Sequence, residues 1–209
     1  MNLNDLRIAF DVDGTLLHDG NPEFTDTKGD PLNDVPRYTV IELFKAFEAL
    51  GADMYIWSGG GVDYAERWRD KLGLTATVVA KGSFKPEIAV DDMDVTLGKV
   101  NLKVLGDNDN LKVCFDVNGT LIYDGDPDYT DEAGDPLDGT PRYNVIRLFQ
   151  QFENFGVDLY IWSSEGEEFA QAWKSRLGLN GKICEKGRFK ADIAIDNNDF
   201  DLGKVTIPV

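Results

Sequence analysis

The chain repeats itself. Shifted by 105 residues it aligns on itself without a gap, and about 50 of the 104 aligned positions are identical. "GDPL" at 29–32 returns at 134–137, "YIWS" at 55–58 returns at 160–163, and "LGKV" at 97–100 returns at 202–205. Solenoid repeats have periods of roughly 20–50 residues, so the repeated unit is a whole domain. The expected domains are 1–105 and 106–209, joined near the polar stretch "GDNDN", 106–110. Whatever the fold is, about 105 residues must suffice to build it once.

Each copy alternates strand and helix patterns. "LRIAFDV" is apolar enough for a buried strand. The polar segment from His18 to Asp34 is too long for an ordinary connection and reads as a hairpin or flap. "PRYTVIELFKAFEALG" opens on Pro and closes on Gly, as helices do. "DMYIWS" reads as a strand and "VDYAERWRDKLGL" as a helix whose stripe of Tyr64, Trp68 and Leu72 belongs to the core. "ATVVA" and "EIAVDD" complete a set of four strands. Such alternation predicts two tandem Rossmann-like α/β domains, each a three-layer unit with a mostly parallel sheet.

In an open parallel sheet, ligands collect at the carboxyl ends of the strands. Three of those ends are polar here. The first carries Asp11, Asp13 and Thr15, the second Ser58, and the fourth Asp91 and Asp92, with Lys81 and Lys85 upstream. Clustered carboxylates are costly without a cation. All-oxygen ligands favour Mg²⁺ among common ions. A lysine and a hydroxyl close by suit phosphate oxygens. An EF-hand reading of "DVDG" fails, because Gly14 comes too early in the motif and the preceding segment is a strand.

At these residues the chain resembles the haloacid dehalogenase-like (HAD) phosphohydrolases. "DVDGTL" looks like that family's first motif, Ser58 in "YIWSGG" its second, a lysine of "KGSFK" its third and "VDD" its fourth. The resemblance implies a Mg²⁺-dependent phosphomonoesterase that works through an aspartyl-phosphate. Asp11 would be the nucleophile and Asp13 the acid and base. Asp11, Asp91, Asp92 and the Asp13 carbonyl would surround the metal, while Thr15, Ser58 and Gly59 would hold the phosphate. Lys85 is preferred to Lys81 as the balancing cation, because "KPEIAVDD" brings it close before the metal strand. The implied partner is a phosphorylated small molecule or an exposed group on a macromolecule.

The second copy keeps Asp116, Thr120, Ser163, Lys190 and Asp196, but Asp13 becomes Asn118 and Asp92 becomes Asn197. An amide neither donates nor accepts a proton as a carboxyl group does. The second site is therefore expected to bind Mg²⁺ and phosphate yet turn over poorly, leaving this copy free to bind, brace or serve as a lid. The competing readings are a non-catalytic metal- or phosphate-binding scaffold and a phosphotransferase.

Composition narrows the setting. The net charge of −17 repels nucleic acid and anionic membrane. No apolar run approaches the roughly 18 residues of a membrane span, and the N-terminus does not read as a signal peptide. Cys114 and Cys184 are expected to be buried thiols in a reducing cytoplasm. His18 is expected to pack in the flap, and Lys99 and Lys204 to solvate strand edges.

Overall fold

The computed structural model describes residues 6–104, 108, 110–198 and 200–209. The chain divides into two compact units that part between 107 and 108. Of the expected linker 106–110, residues 106, 107 and 109 lie outside the described residues. Asn108 belongs to the second unit, where its side-chain amide donates to Phe155 O at 2.9 Å.

In the first unit, strand β1 (Arg7–Asp11) runs into a tight turn over Val12–Leu16. Strands β2 (Leu17–Asp19) and β3 (Asn33–Pro36) form an antiparallel hairpin, the flap, as the hairpin reading of this segment expects. Helix α1 (Tyr38–Ala49), strand β4 (Asp53–Trp57), helix α2 (Val62–Leu72) and strand β5 (Thr77–Val78) follow. Strands β6 (Ile88–Asp91) and β7 (Val100–Lys103) close the unit. The sheet order is β5-β4-β1-β6-β7, and every pairing is parallel. The fifth strand, β7, is short and alternates buried and half-buried residues, so it lacks the apolar run that marks the other four.

The second unit repeats this plan. Strand β8 (Lys112–Asp116), the hairpin β9 (Ile122–Asp124) and β10 (Asp138–Pro141), and helix α3 (Tyr143–Asn154) come first. Strand β11 (Asp158–Trp162), helix α4 (Glu167–Leu177), strands β12 (Lys182–Ile183), β13 (Ala191–Asp196) and β14 (Gly203–Pro208) follow. Its parallel sheet has the order β12-β11-β8-β13-β14.

Strand pleating assigns the two faces of the first sheet. Phe10 faces α1 and meets Phe44 edge-on, with ring centroids 5.1 Å apart. Ala9, Trp57 and Ala89 face the other way, and there the third layer is made of loops rather than helices. Val79, Phe84 and Leu97 from the β5–β6 and β6–β7 connections pack on them. Asp11 shares the parity of Ala9, and Asp91 that of Ala89, so both point toward this loop-covered face. The second unit matches, with Phe189 and Leu202 on Cys114, Trp162 and Ala194. Both cysteines are buried and free. Among the described residues no helix is long and apolar enough to cross a membrane.

Candidate functional site

Parallel strands end together, so Asp11 of β1, Ser58 just beyond β4 and Asp91 of β6 meet at one edge of the first sheet. All three are buried. Asp11, Asp91 and Asp92 each offer a carboxylate oxygen, and these oxygens lie within 4.8 Å of one another. Lys81 Nζ sits 2.9 Å from Asp11 Oδ1 and 2.7 Å from Asp91 Oδ2. Among the described residues those two buried oxygens have no other donor. Burial lifts the Asp11 carboxyl to about 7 against the pull of Lys81, and Asp91 and Asp92 push it the same way. Burial also raises Asp92, with Asp91 adding to it. One ammonium among three crowded carboxylates leaves a deficit of positive charge. The donors are all hard oxygens, a set that a hard divalent cation fits.

The bridging lysine is Lys81, not Lys85, and the reason lies in the direction of the chain. The β5–β6 connection leaves the carboxyl end of the sheet with Lys81 and returns to the amino end, where β6 begins. Lys85 lies three residues before Ile88, but the length of a strand separates it from Asp91, at roughly 3.3 Å per residue. Lys85 is exposed, and its carbonyl accepts from Arg7 at the far end of β1, at 3.2 Å. The same correction holds in the second unit. Lys186 Nζ lies 3.0 Å from Asp116 Oδ1 and 2.7 Å from Asp196 Oδ2. Lys190 instead pairs with Asp201 at 2.8 Å.

Asp13 leaves the turn half-buried and receives two donors. Ser58 Oγ donates to Oδ2 at 3.1 Å, and the Tyr64 hydroxyl donates to Oδ1 at 2.5 Å. Burial and the Asp13 carboxylate push the Tyr64 phenol up to about 12, so it stays a donor. Tyr64 therefore belongs to the site and not to the core stripe, while Trp68 on the same helix is buried. Ser58 Oγ also accepts from the Gly60 N–H at 2.9 Å, and Gly59 is exposed beside it. Thr15 is fully buried. Its counterpart Thr120 accepts the Asn197 N–H at 2.9 Å, tying the first turn to the loop after β13. The Thr15 hydroxyl is buried with no hydrogen-bond partner among the described residues.

Two further residues escaped the sequence reading. Gly14 has φ +70°, and a Cβ built on it would fall 2.4 Å from Asp92 Cγ, so the turn packs directly on that carboxylate. Arg37, read only as part of a helix start, is buried under the flap, with its guanidinium 4.9 Å from the Phe24 ring centre. The Phe24 ring also lies 5.4 Å from His18, which packs in the flap as expected. Arg142 repeats the arrangement under Tyr123 and Tyr129 and donates to the Gly119 carbonyl. Lys99 and Lys204 do more than solvate strand edges. They pair with Glu87 at 3.2 Å and with Asp192 at 2.6 Å.

The second unit keeps the buried pair Asp116 and Asp196. Burial, then Asp196, lifts Asp116 to about 6, with Lys186 opposing. No third carboxylate joins them among the described residues. Asn118 Nδ2 donates to Glu165 Oε1 at 2.5 Å. Position 165 corresponds to Gly60, and Phe169 stands where the first unit has Tyr64. Comparison with protein-family models, with curated proteins and with solved structures finds no match to this chain.

Proposed function

We propose that the first unit is a Mg²⁺-dependent phosphomonoester hydrolase of the HAD type, acting through an aspartyl-phosphate. The observation that carries the reading is the grouping of Asp11, Asp91 and Asp92 around one lysine at the carboxyl edge of a parallel sheet. Asp11, Asp91 and Asp92 would hold the metal, which when bound supplies positive charge against the phosphoryl oxygens. An Asp11 oxygen attacks phosphorus as the bond to the leaving alkoxide breaks. Asp13 gives its proton to that alkoxide, then takes one from the water that attacks the phosphoryl group on Asp11, as the acyl–phosphate bond breaks to return Asp11 and inorganic phosphate. Ser58 and Tyr64 hold Asp13 in place for both transfers. Lys81 offsets charge shared by Asp11 and Asp91. Asn118 leaves the second unit without a proton donor at the matching position. The substrate is a phosphate monoester, and the free cysteines suit a reducing cytoplasm.

The test is phosphate release from aryl and alkyl phosphates, with Mg²⁺ and then with a chelator. Asp11→Asn and Asp13→Asn are the matched variants. Metal-dependent release that collapses in both is the expected outcome. A folded wild-type protein that releases no phosphate across the panel overturns the proposal. Transfer of the phosphoryl group to an added alcohol in place of water would instead mark a phosphotransferase.

A further inference from the structure

The amide at 118 has a carboxylate against it. Three changes separate the second site from the first at this corner: Asp13 to Asn118, Gly60 to Glu165 and Tyr64 to Phe169. Each is intelligible in terms of the others. Asp13 accepts from both Ser58 and Tyr64, whereas an amide offers one acceptor oxygen in place of two, and phenylalanine removes one of the two hydroxyl donors. The amide is now the donor, and Glu165 is the acceptor it meets at 2.5 Å. The carboxyl group has moved from the turn after the first strand to the loop after the second. Asn118 and Glu165 line one cleft of about 340 Å³ together with Asp124, Asp138, Phe169 and Trp173.

We propose that Glu165 is the general acid and base of the second unit, which makes this unit a second phosphomonoester site. The proposal rests on reading Asp13 as the acid and base of the first unit. An Asp116 oxygen attacks phosphorus and the bond to the alkoxide oxygen breaks. The Glu165 carboxyl protonates the alkoxide. Water then attacks the phosphoryl group on Asp116 and gives its proton to the Glu165 carboxylate, and the acyl–phosphate bond breaks to return Asp116 and inorganic phosphate. Beside the carboxylates of Asp124 and Asp138, the cleft presents Ile122, Phe169 and Trp173, a surface on which an aromatic alcohol part can pack.

The experiment uses the full chain carrying Asp11→Asn, which silences the first unit, in Mg²⁺ buffer with an aryl phosphate. Phosphate release and the fraction of chains carrying a phosphoryl group on Asp116, by intact mass and peptide mapping, are both read. Residual release is expected. Adding Glu165→Gln should lower it by about 10²-fold, the usual scale of a lost acid–base group, and should make phosphoryl-Asp116 accumulate because its hydrolysis stalls. Adding Asp116→Asn should remove both signals. The assignment is overturned if Glu165→Gln moves neither reading, or if Asp11→Asn alone leaves no release and no phosphoryl-Asp116 while wild type is active. An inactive wild type removes the first-unit reading, and this one with it.

Discussion

The hydroxyl of Tyr64 donates to Oδ1 of Asp13 across 2.5 Å, reaching from the first turn of α2 to the turn after β1. Where the second unit has an amide in place of that carboxylate, it also has Phe169 in place of the tyrosine. The two positions are 51 residues apart in the chain and change as a pair. A hydrogen bond to a charged group contributes about 1.5–3 kcal/mol, part of which serves to aim Asp13. Tyr64→Phe is expected to lower kcat about tenfold with KM little changed. Steady-state kinetics beside a thermal melt would separate this from a loss of fold.

Lys81 and Lys85 should differ sharply. Lys81→Met leaves buried carboxylates without their cation, and breaking a buried pair in this way costs about 3 kcal/mol. Urea denaturation of the metal-free protein should show that loss, and turnover should fall with it. Lys85→Met touches an exposed side chain and should stay within about 0.5 kcal/mol of wild type. Equal effects from the two would contradict the bridge seen at Asp11 and Asp91.

Mg²⁺ should stabilise the first unit through the same three carboxylates. A ligand at a hundred times its Kd adds about 2.7 kcal/mol, visible as a rise in Tm. Asp91→Asn is expected to abolish the rise. Asp13→Asn should keep most of it, because its carboxylate is not one of the three grouped oxygens.

Gly14→Ala should be costly twice over. A side chain at φ +70° is strained by about 1–2 kcal/mol, and the new methyl would fall on Asp92. The variant is expected to lose stability and, as Asp92 shifts, to need more Mg²⁺ for its Tm to rise. Titration calorimetry checks the second effect directly.

Glu87 carries a pH dependence of its own, away from the site. Burial opposes its charge, but Arg7, through side chain and backbone, and Lys99 outweigh that and hold the carboxyl below its ordinary range. A depressed folded value means the contribution is complete above the unfolded pKa, about 4.3. It is lost as pH falls through the folded one. Glu87→Gln should cost about 1–3 kcal/mol at neutral pH and flatten the acid limb of stability below about pH 4.3.

Strands β1, β4 and β6 were legible as apolar runs and the helices by their periodicity, and the repeat supplied a second reading of each. The carboxylates were legible too, since a strand-ending aspartate must lie where parallel strands end. Lys81 was harder to see, because sequence proximity to β6 favoured Lys85 and only the return path of the connection reverses the choice. Tyr64 stood at core spacing, where helical periodicity cannot distinguish a ring packed inward from a hydroxyl reaching across the sheet edge. Glu165 had no signal within its own copy. It becomes visible only once Asn118 is placed beside it.

The two thiols report on one half of the chain alone. Cys114 and Cys184 lie in one buried cluster of the second unit, and their counterparts in the first are Ala9 and Val79. A thiol-reactive reagent is therefore blind to openings confined to residues 6–104. It labels the chain only when the second core is breached, so the labelling rate under native conditions is a clock for that unit alone. Read beside a whole-chain melt, it tells whether two copies of one sequence open together or apart.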